Sequence, residues 1–480
     1  MSDQLTTALD EAPLSRFHTR SVVVAGMGFF TDAYDLFIIG TATTLIAKQW
    51  HLSSSETGLV NSITLISAFV GAFIFGRVAD VLGRKKIYGL EAALMVGGAL
   101  ASAFAPSLAW LLAFRFILGI GVGGDYPMSA VLMSEFSNRR NRGKLVGLVF
   151  SMQALGTVAG YVAALALLSA GVNHDVTWRI LLGLGALPAA GVVLLRRRMP
   201  ESPRYQAKVE GQRREAAVAV ASYSEGAVQT DLQGISDGPG RRIGLWQFLS
   251  TPRYLLYLAG TAGAWFVFDY AYYGNSVSAP LIVKSVLGSH GAHVLTEALA
   301  LQLIVFSVAA VPGYYLAAFA MDRIGHRRLQ LIGFPLMGLA FLLIGVIPGI
   351  TAAVGPFLIL FGMSYFFAEF GPNTTTFVLA GEVYPTSARS TGHGISAGVA
   401  KVGAFIGVYL FPVIKDHLGV AGALKLSAGF ALVGALLTLL VPEPARRSLD
   451  ELSPEDVVEA AGEVVRAAQQ PVPGAVPPGA

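Results

Sequence analysis

Three stretches constrain the fold before any other feature is read. Val22–Ile46, Leu59–Ala79 and Val420–Val441 are nearly unbroken apolar runs. Each is long enough to cross a hydrocarbon core about 30 Å thick, which takes about 20 helical residues. Inside lipid every backbone polar group must be satisfied within its own segment, so runs of this kind cross as helices. Composition agrees, since 54% of residues are hydrophobic and 13% charged, against about a quarter charged in a soluble chain. The chain therefore reads as an all-α membrane protein whose first partner is the lipid bilayer. Twelve spans are predicted, near 21–47, 58–80, 86–105, 108–131, 143–170, 178–197, 254–284, 295–320, 328–349, 351–380, 392–415 and 420–441.

Charge follows this topology. One set of loops is basic: Arg84-Lys85-Lys86, Arg139-Arg140 with Arg142 and Lys144, Arg196-Arg197-Arg198, Arg323 with Arg327-Arg328, and Arg446-Arg447. The alternate loops, near Gln49–Glu56, Ala105–Ser107, Gly171–Asp175 and Pro348–Gly349, are nearly bare. The positive-inside rule predicts that both termini are cytoplasmic. The formal net charge of +4 is explained by these loops and gives no sign of nucleic-acid binding. With no cysteine in the sequence, disulfides and thiol chemistry are excluded. The N-terminal stretch is polar and acidic before its first basic residue, unlike a cleaved signal.

The expected organisation is a cytoplasmic segment 1–20, a six-helix bundle 21–198, a polar cytoplasmic linker 199–252, a second six-helix bundle 253–442, and a cytoplasmic tail 443–480. The linker is predicted to be partly helical, and the Pro/Gly/Ala-rich tail largely disordered. The two bundles echo one another. "GRVADVLGRKK" (76–86) returns as "AFAMDRIGHRR" (318–328), "PESPR" at Pro200 as "PEPAR" at Pro442, and "SEFSNRRNRG" (134–143) as "GEVYPTSARS" (381–390). The last pair matches Glu135 to Glu382 and Arg142 to Arg389. Three echoes in one order indicate duplication, and parallel repeats with a site between them describe a transporter architecture. The first loop, together with "RFILGIGVGGDYP" and "PESPRY", resembles the major facilitator superfamily over nearly the whole chain. That resemblance implies two pseudo-symmetric bundles that rock about a central site. It also implies that Asp80 with Arg84, and Asp322 with Arg327, gate the cytoplasmic ends.

Several polar residues sit where lipid-spanning helices tolerate few. Asp32 and Asp35 are three apart and share a helix face. An Asp at a helix centre costs about 2.5–3.5 kcal/mol on insertion scales, so two of them need water, a partner or a proton. A proton-carrying pair is the expectation. Gly119, Gly121, Gly123 and Gly124 read as helix packing, followed by Asp125-Tyr126 before Pro127. Arg115 is about 15 Å along the helix from Asp125, so an acid on another helix suits it better. Trp265, Asp269 and Tyr273 recur every four residues and stack on one face. Gly371-Pro372 is predicted to break its span beside Asn373, as spans that line a ligand cavity often do. Gln153 and Lys401 are a further amide and a cation at mid-span. Donors on Tyr126, Gln153, Trp265, Tyr273 and Asn373, a lysine and the Asp269 carboxylate together suit a small oxyanion that still carries a hydroxyl.

Seven segments, from "GFFTDAYDLF" and "GGDYPMSA" through "FSMQALG", "WFVFDYAYYG", "FFAEFGPNTTTF" and "GEVYPTSARSTGHGISAG" to "AKVGAFIG", resemble the phosphate:proton symporters of that superfamily. The resemblance implies that inorganic phosphate is held by Tyr126, Gln153, Trp265, Asp269, Tyr273 and Asn373. It implies a proton route through Asp32, Asp35, Asp125, Glu91 and Lys401; Glu91 is assigned by the resemblance alone. Glu369 departs from the family, where a neutral residue is common, and lies one turn before Asn373. No P-loop, zinc-type histidine pairing or nucleophile–base set occurs, so no cofactor, no metal and no enzymatic activity are expected. A monomeric proton-coupled phosphate importer of the plasma membrane is the expectation. A symporter of an organic anion or sugar, or a phosphate sensor without turnover, are the alternatives.

Overall fold

The computed structural model describes residues 2–225, 237–238, 240, 242–287 and 294–453. Among the described residues every regular element is helical and no strand occurs. Among the described residues nine helical stretches are long and apolar enough to cross a membrane. The last of them, Thr386–Thr438, holds two helices joined at Gly419 (φ 68°, ψ 176°). Leu90–Ala103 and Pro252–Val277 are too short and too rich in tyrosine, respectively, to stand out by hydropathy. With them the spanning helices among the described residues number twelve.

In chain order these are α1 (Arg16–Trp50), α2 (Ser54–Leu82), α3 (Leu90–Ala103), α4 (Leu108–Phe136), α5 (Arg142–Ser169) and α6 (His174–Arg196) in the first half. The second half has α7 (Pro252–Val277), α8 (Val294–Ile324), α9 (His326–Val346), α10 (Val354–Ala380), α11 (389–418) and α12 (420–438). Short range ends follow local chemistry. Helix α2 starts at a capping box, where Ser53 Oγ accepts from the Glu56 N–H at 3.3 Å and Glu56 accepts from the Ser53 N–H at 2.8 Å. It stops at Gly83 (φ 97°), and α8 stops at the repeat-equivalent Gly325 (φ 106°). Both positions lie in the left-handed region that a side chain strains.

The glycine run of α4 is packing, as its sequence suggests. A Cβ at Gly119 or Gly123 would run into α2 at Thr64 or Ala68, and one at Gly121 into Glu91 of α3. The halves meet through equally small residues. A Cβ at Gly147 of α5 would come 3.1 Å from Ala318 of α8, and Gly76 of α2 faces Gly394 of α11. Such contacts bring backbones together without a hydrophobic driving force in lipid.

At one end of the bundle, here called the linker end, the non-spanning segments form a cap. Helix Arg213–Tyr223 of the linker buries Ala216, Ala217 and Val220 against Leu9 of the N-terminal helix Ser2–Glu11. The start of the expected disordered tail is folded. Leu449 and Leu452 are buried, Arg253 donates to the Leu452 carbonyl at 3.0 Å, and Ser453 donates to the Val383 carbonyl. Two leucines one turn apart give residues 443–453 an apolar face to dock. From residue 454 onward the expected disorder lies outside the described residues.

Candidate functional site

The break expected in α10 is present and positions Asn373. Residues 369–373 form a wide turn, and Gly371 leaves helical geometry altogether (φ −126°, ψ −110°). The carbonyls freed there are caught by the three threonines that follow. Thr374 Oγ1 donates to the Glu369 carbonyl at 2.8 Å, Thr375 to Gly371 at 2.9 Å and Thr376 to Pro372 at 2.7 Å. The broken span is thereby satisfied internally, as a lipid-embedded backbone must be.

Five of the six residues expected to hold a ligand fall in one hydrogen-bonded chain that crosses between the halves. Lys401 Nζ of α11 lies 2.8 Å from Asp269 Oδ2 and 3.2 Å from the Tyr273 hydroxyl, both on α7. The Tyr273 and Tyr126 hydroxyls are 3.4 Å apart. Gln153 of α5 donates to Tyr126 at 3.3 Å and accepts from Tyr314 of α8 at 3.3 Å. Asn373 donates to Tyr314 at 2.8 Å. Tyr126 and Asn373, at equivalent points of the two halves, are thus joined through Gln153 and Tyr314 and do not touch. Trp265, the sixth, packs its ring against Tyr126 (centroids 5.9 Å apart). Lys401 Nζ also lies 4.5 Å and 4.4 Å from the Tyr126 and Tyr273 ring centroids, within cation–π range. All these side chains are buried.

Asp32 and Asp35, expected to act as a proton-carrying pair, have different surroundings. Asp35 belongs to Arg115 of α4, whose guanidinium is 3.8 Å from the carboxylate and 2.9 Å from the Asp35 carbonyl. Arg115 does find an acid on another helix. Asp125 belongs to a second cation, Arg196 at the end of α6, at 2.6 Å, and Glu91 bonds the same guanidinium at 2.7 Å. Gly28 of α1 makes room for this cluster, since a Cβ there would strike both Arg196 and Asp125. Asp32 is buried with no hydrogen-bond partner on either oxygen. Helical periodicity gives the shared face of Asp32 and Asp35; the neighbouring helices decide their separate partners. The two acids should therefore differ on mutation. Asp35→Asn strands a buried arginine and is expected to cost about 3–5 kcal/mol, the usual penalty for removing half of a buried pair. Asp32→Asn breaks no pair and should leave thermal stability unchanged or higher. Melting curves of the purified variants check this.

At the linker end the repeated motifs interlock with pseudo-two-fold symmetry. Asp80 accepts from the Ser390 and Thr391 N–H groups at 3.3 and 2.7 Å. Its counterpart Asp322 accepts from Gly143 and Lys144 at 3.1 and 2.8 Å. Arg389 reaches Glu135 and Arg142 reaches Glu382, each at 2.9 Å across the halves. Arg84 joins Glu135 at 3.2 Å, and His326 joins Glu382 at 2.8 Å. Glu201 of "PESPR" accepts from the Lys85 N–H at 3.0 Å, and Glu443 of "PEPAR" from the His326 N–H at 2.8 Å. Burial alone would push the Glu382 carboxyl up, but the His326 and Arg142 groups facing it hold it below the usual glutamate range. Arg327 is not in this cluster. It donates to the Leu439 carbonyl of its own half at 3.1 Å. The correction is one of register, since Gly83-Arg84 corresponds to Gly325-His326.

Several members of these clusters were not singled out from sequence as site residues. Tyr314 is one of two adjacent phenols in an apolar span, a weak signal at best. Arg196 stands in a basic run that reads as topology, yet it is buried whereas Arg197 and Arg198 are exposed. Glu135, Arg142, Glu382 and Arg389 appear in sequence only as markers of the repeat.

Residues 21–455 match the family described as "Sugar (and other) transporter". A probable inorganic phosphate transporter 1-12 of Oryza sativa subsp. japonica is 37% identical, with 94% of each chain covered. A probable inorganic phosphate transporter 1-6 of Arabidopsis thaliana is 35% identical, covering 93% of this chain and 96% of its own. Among solved structures, the proton:xylose symporter XylE bound to 6-bromo-6-deoxy-D-glucose superposes with a TM-score of 0.74 at 18% identity, over 92% of this chain and 99% of that one. A partially occluded inward-open form of the xylose transporter XylE from E. coli gives 0.71 at 19%, over 89% and 99%. At such identities these structures speak to the fold alone.

Proposed function

Because the chain belongs to the sugar (and other) transporter family of the major facilitator superfamily, we propose that it imports inorganic phosphate with protons by alternating access between its two six-helix halves. The observation that carries this reading is the central chain of donors shared by both halves, with the Lys401–Asp269 pair inside it. The printed names of its relatives, inorganic phosphate transporters over most of their length, support the substrate.

A phosphate monoanion offers anionic oxygens to Tyr126, Tyr273, Trp265, Gln153 and Asn373, and a hydroxyl to Asp269. In this structure Lys401 is held by Asp269 and Tyr273. A proton on Asp269 weakens that hold and turns the ammonium toward the incoming oxyanion. Asp32, Asp125 and Glu91 carry the protons, with Arg196 balancing the charge of Asp125 and Glu91, and Asp35 tunes the route through Arg115. The linker end faces the cytoplasm, as its basic loops suggest, and its interlocked acids and bases close that side. Moving one anion inward against an inside-negative potential costs about 2.3 kcal/mol per 100 mV. One accompanying proton removes that cost, and a second makes the voltage drive uptake. The protein works as a monomer in the cell membrane.

Labelled phosphate uptake into liposomes holding the purified protein tests the substrate. Arsenate, an isosteric oxyanion, should compete fully, and xylose should not compete at all. Competition by xylose with no effect of arsenate would transfer the protein to the sugar reading.

A further inference from the structure

Glu369 lies at the end of the hydrogen-bonded chain and has no part in the cycle above. It is fully buried. Its Oε2 accepts from the Asn373 amide nitrogen at 2.5 Å, and its Oε1 has no hydrogen-bond partner. The titratable groups facing it are phenols: Tyr272 from α7, Tyr314 from α8 and Tyr365 from its own helix. Helix α9 meets this turn through Gly333, which abuts Gly371. Among the described residues no lysine, arginine or histidine forms an ion pair with Glu369; Lys401 is engaged by Asp269 instead.

An amide nitrogen has two hydrogens. In this structure one goes to Glu369 and the other to Tyr314. An ionised Glu369 therefore consumes a donor that an oxyanion would need and adds a negative charge beside the site with no cation to offset it. Protonation removes both obstacles at once, since a neutral carboxyl is a poorer acceptor and no longer repels the anion.

We infer that Glu369 is a proton-binding group whose protonation frees an Asn373 donor for the oxyanion, so that it takes up one proton as substrate binds. This rests on the reading of the pocket as an oxyanion site. The chain then carries one more exchangeable proton per cycle than the Asp269 and first-half acids supply.

Calorimetric titration with inorganic phosphate at several pH values tests it, comparing the wild type with Glu369→Gln. At pH 9 the variant should bind phosphate about tenfold more tightly, because the charge has been removed. At pH 5.5, if Glu369 takes up its proton as inferred, the two should match. Titration in buffers of different ionisation heat should show one proton fewer taken up per phosphate by the variant. Glu369→Asn, neutral and smaller, carries the same expectation should the first variant fail to fold. Equal affinities at every pH, or a variant weakened alike at all pH values, overturn the inference while the oxyanion site stands. A wild-type protein that binds no phosphate at any pH refutes the oxyanion reading and this inference together.

Discussion

Asp269→Asn is expected to retain phosphate binding and to lose uphill uptake, by about a hundredfold or more, the effect expected for removing a charge that a buried lysine depends on. Among the described residues the pair it breaks is the only ion pair that Lys401 makes, at 2.8 Å. With the amide in place, Lys401 has the Tyr273 hydroxyl and two aromatic faces but no carboxylate in direct ion-pair contact among the described residues. A buried ammonium stranded in this way should cost about 3–5 kcal/mol of stability. Phosphate is then the missing counter-ion. It should raise the melting temperature of Asp269→Asn more than that of the wild type, by the linkage that favours whichever state binds the ligand. Lys401→Met in the same chain should recover stability without recovering transport, since it removes the stranded charge and the anion's partner together. An Asp269→Asn protein that accumulates phosphate along a proton gradient as the wild type does would show that the coupling group lies elsewhere.

Glu135→Gln should open the linker end. One carboxylate there holds two guanidiniums, Arg84 from its own half at 3.2 Å and Arg389 from the other at 2.9 Å. Neutralising it leaves two cations facing each other with no shared acid, though Arg84 keeps Asp80 at 3.1 Å. The closed state bears this cost, because in an opened state water reaches the arginines. A penalty of about 3–5 kcal/mol shifts the two-state balance by about two to three orders of magnitude. The cysteine-free sequence makes the shift easy to read. Ser151 on α5 is buried and donates to the Tyr314 carbonyl of the opposite half at 3.3 Å. Ser151→Cys should react slowly with a membrane-impermeant thiol reagent applied from the linker side, and about a hundredfold faster when Glu135→Gln is added. Unchanged reactivity would mean that these ion pairs do not hold the halves together.

The spans and the repeat were legible because each is a property of local sequence. Apolar run length sets helix length, and the two halves meet the same demands at Gly83 and Gly325, Glu135 and Glu382, Arg142 and Arg389. Most of the central hydrogen-bonded chain was legible too, since Asp269, Lys401, Gln153 and Asn373 are polar where lipid permits few polar groups. What escaped depends on neighbours. The i, i+3 spacing puts Asp32 and Asp35 on one face, but only the arrival of Arg115 from α4 and Arg196 from α6 separates a paired acid from an unpaired one. Tyr314 differs in no local respect from Tyr315, and only its approach to Gln153 and Asn373 sets it apart. The folded start of the tail escaped because Leu449 and Leu452 are too few to read as a docking face until the linker and the 381–385 loop are seen beside them.

The direct test of obligatory coupling is the level that labelled phosphate reaches in liposomes with an acidic exterior and a clamped voltage. Accumulation above what ionic trapping by the pH difference alone would give, lost when a protonophore collapses that difference, is the outcome expected of a shared buried network. The same plateau with the gradient intact and collapsed would mean that phosphate crosses without its protons.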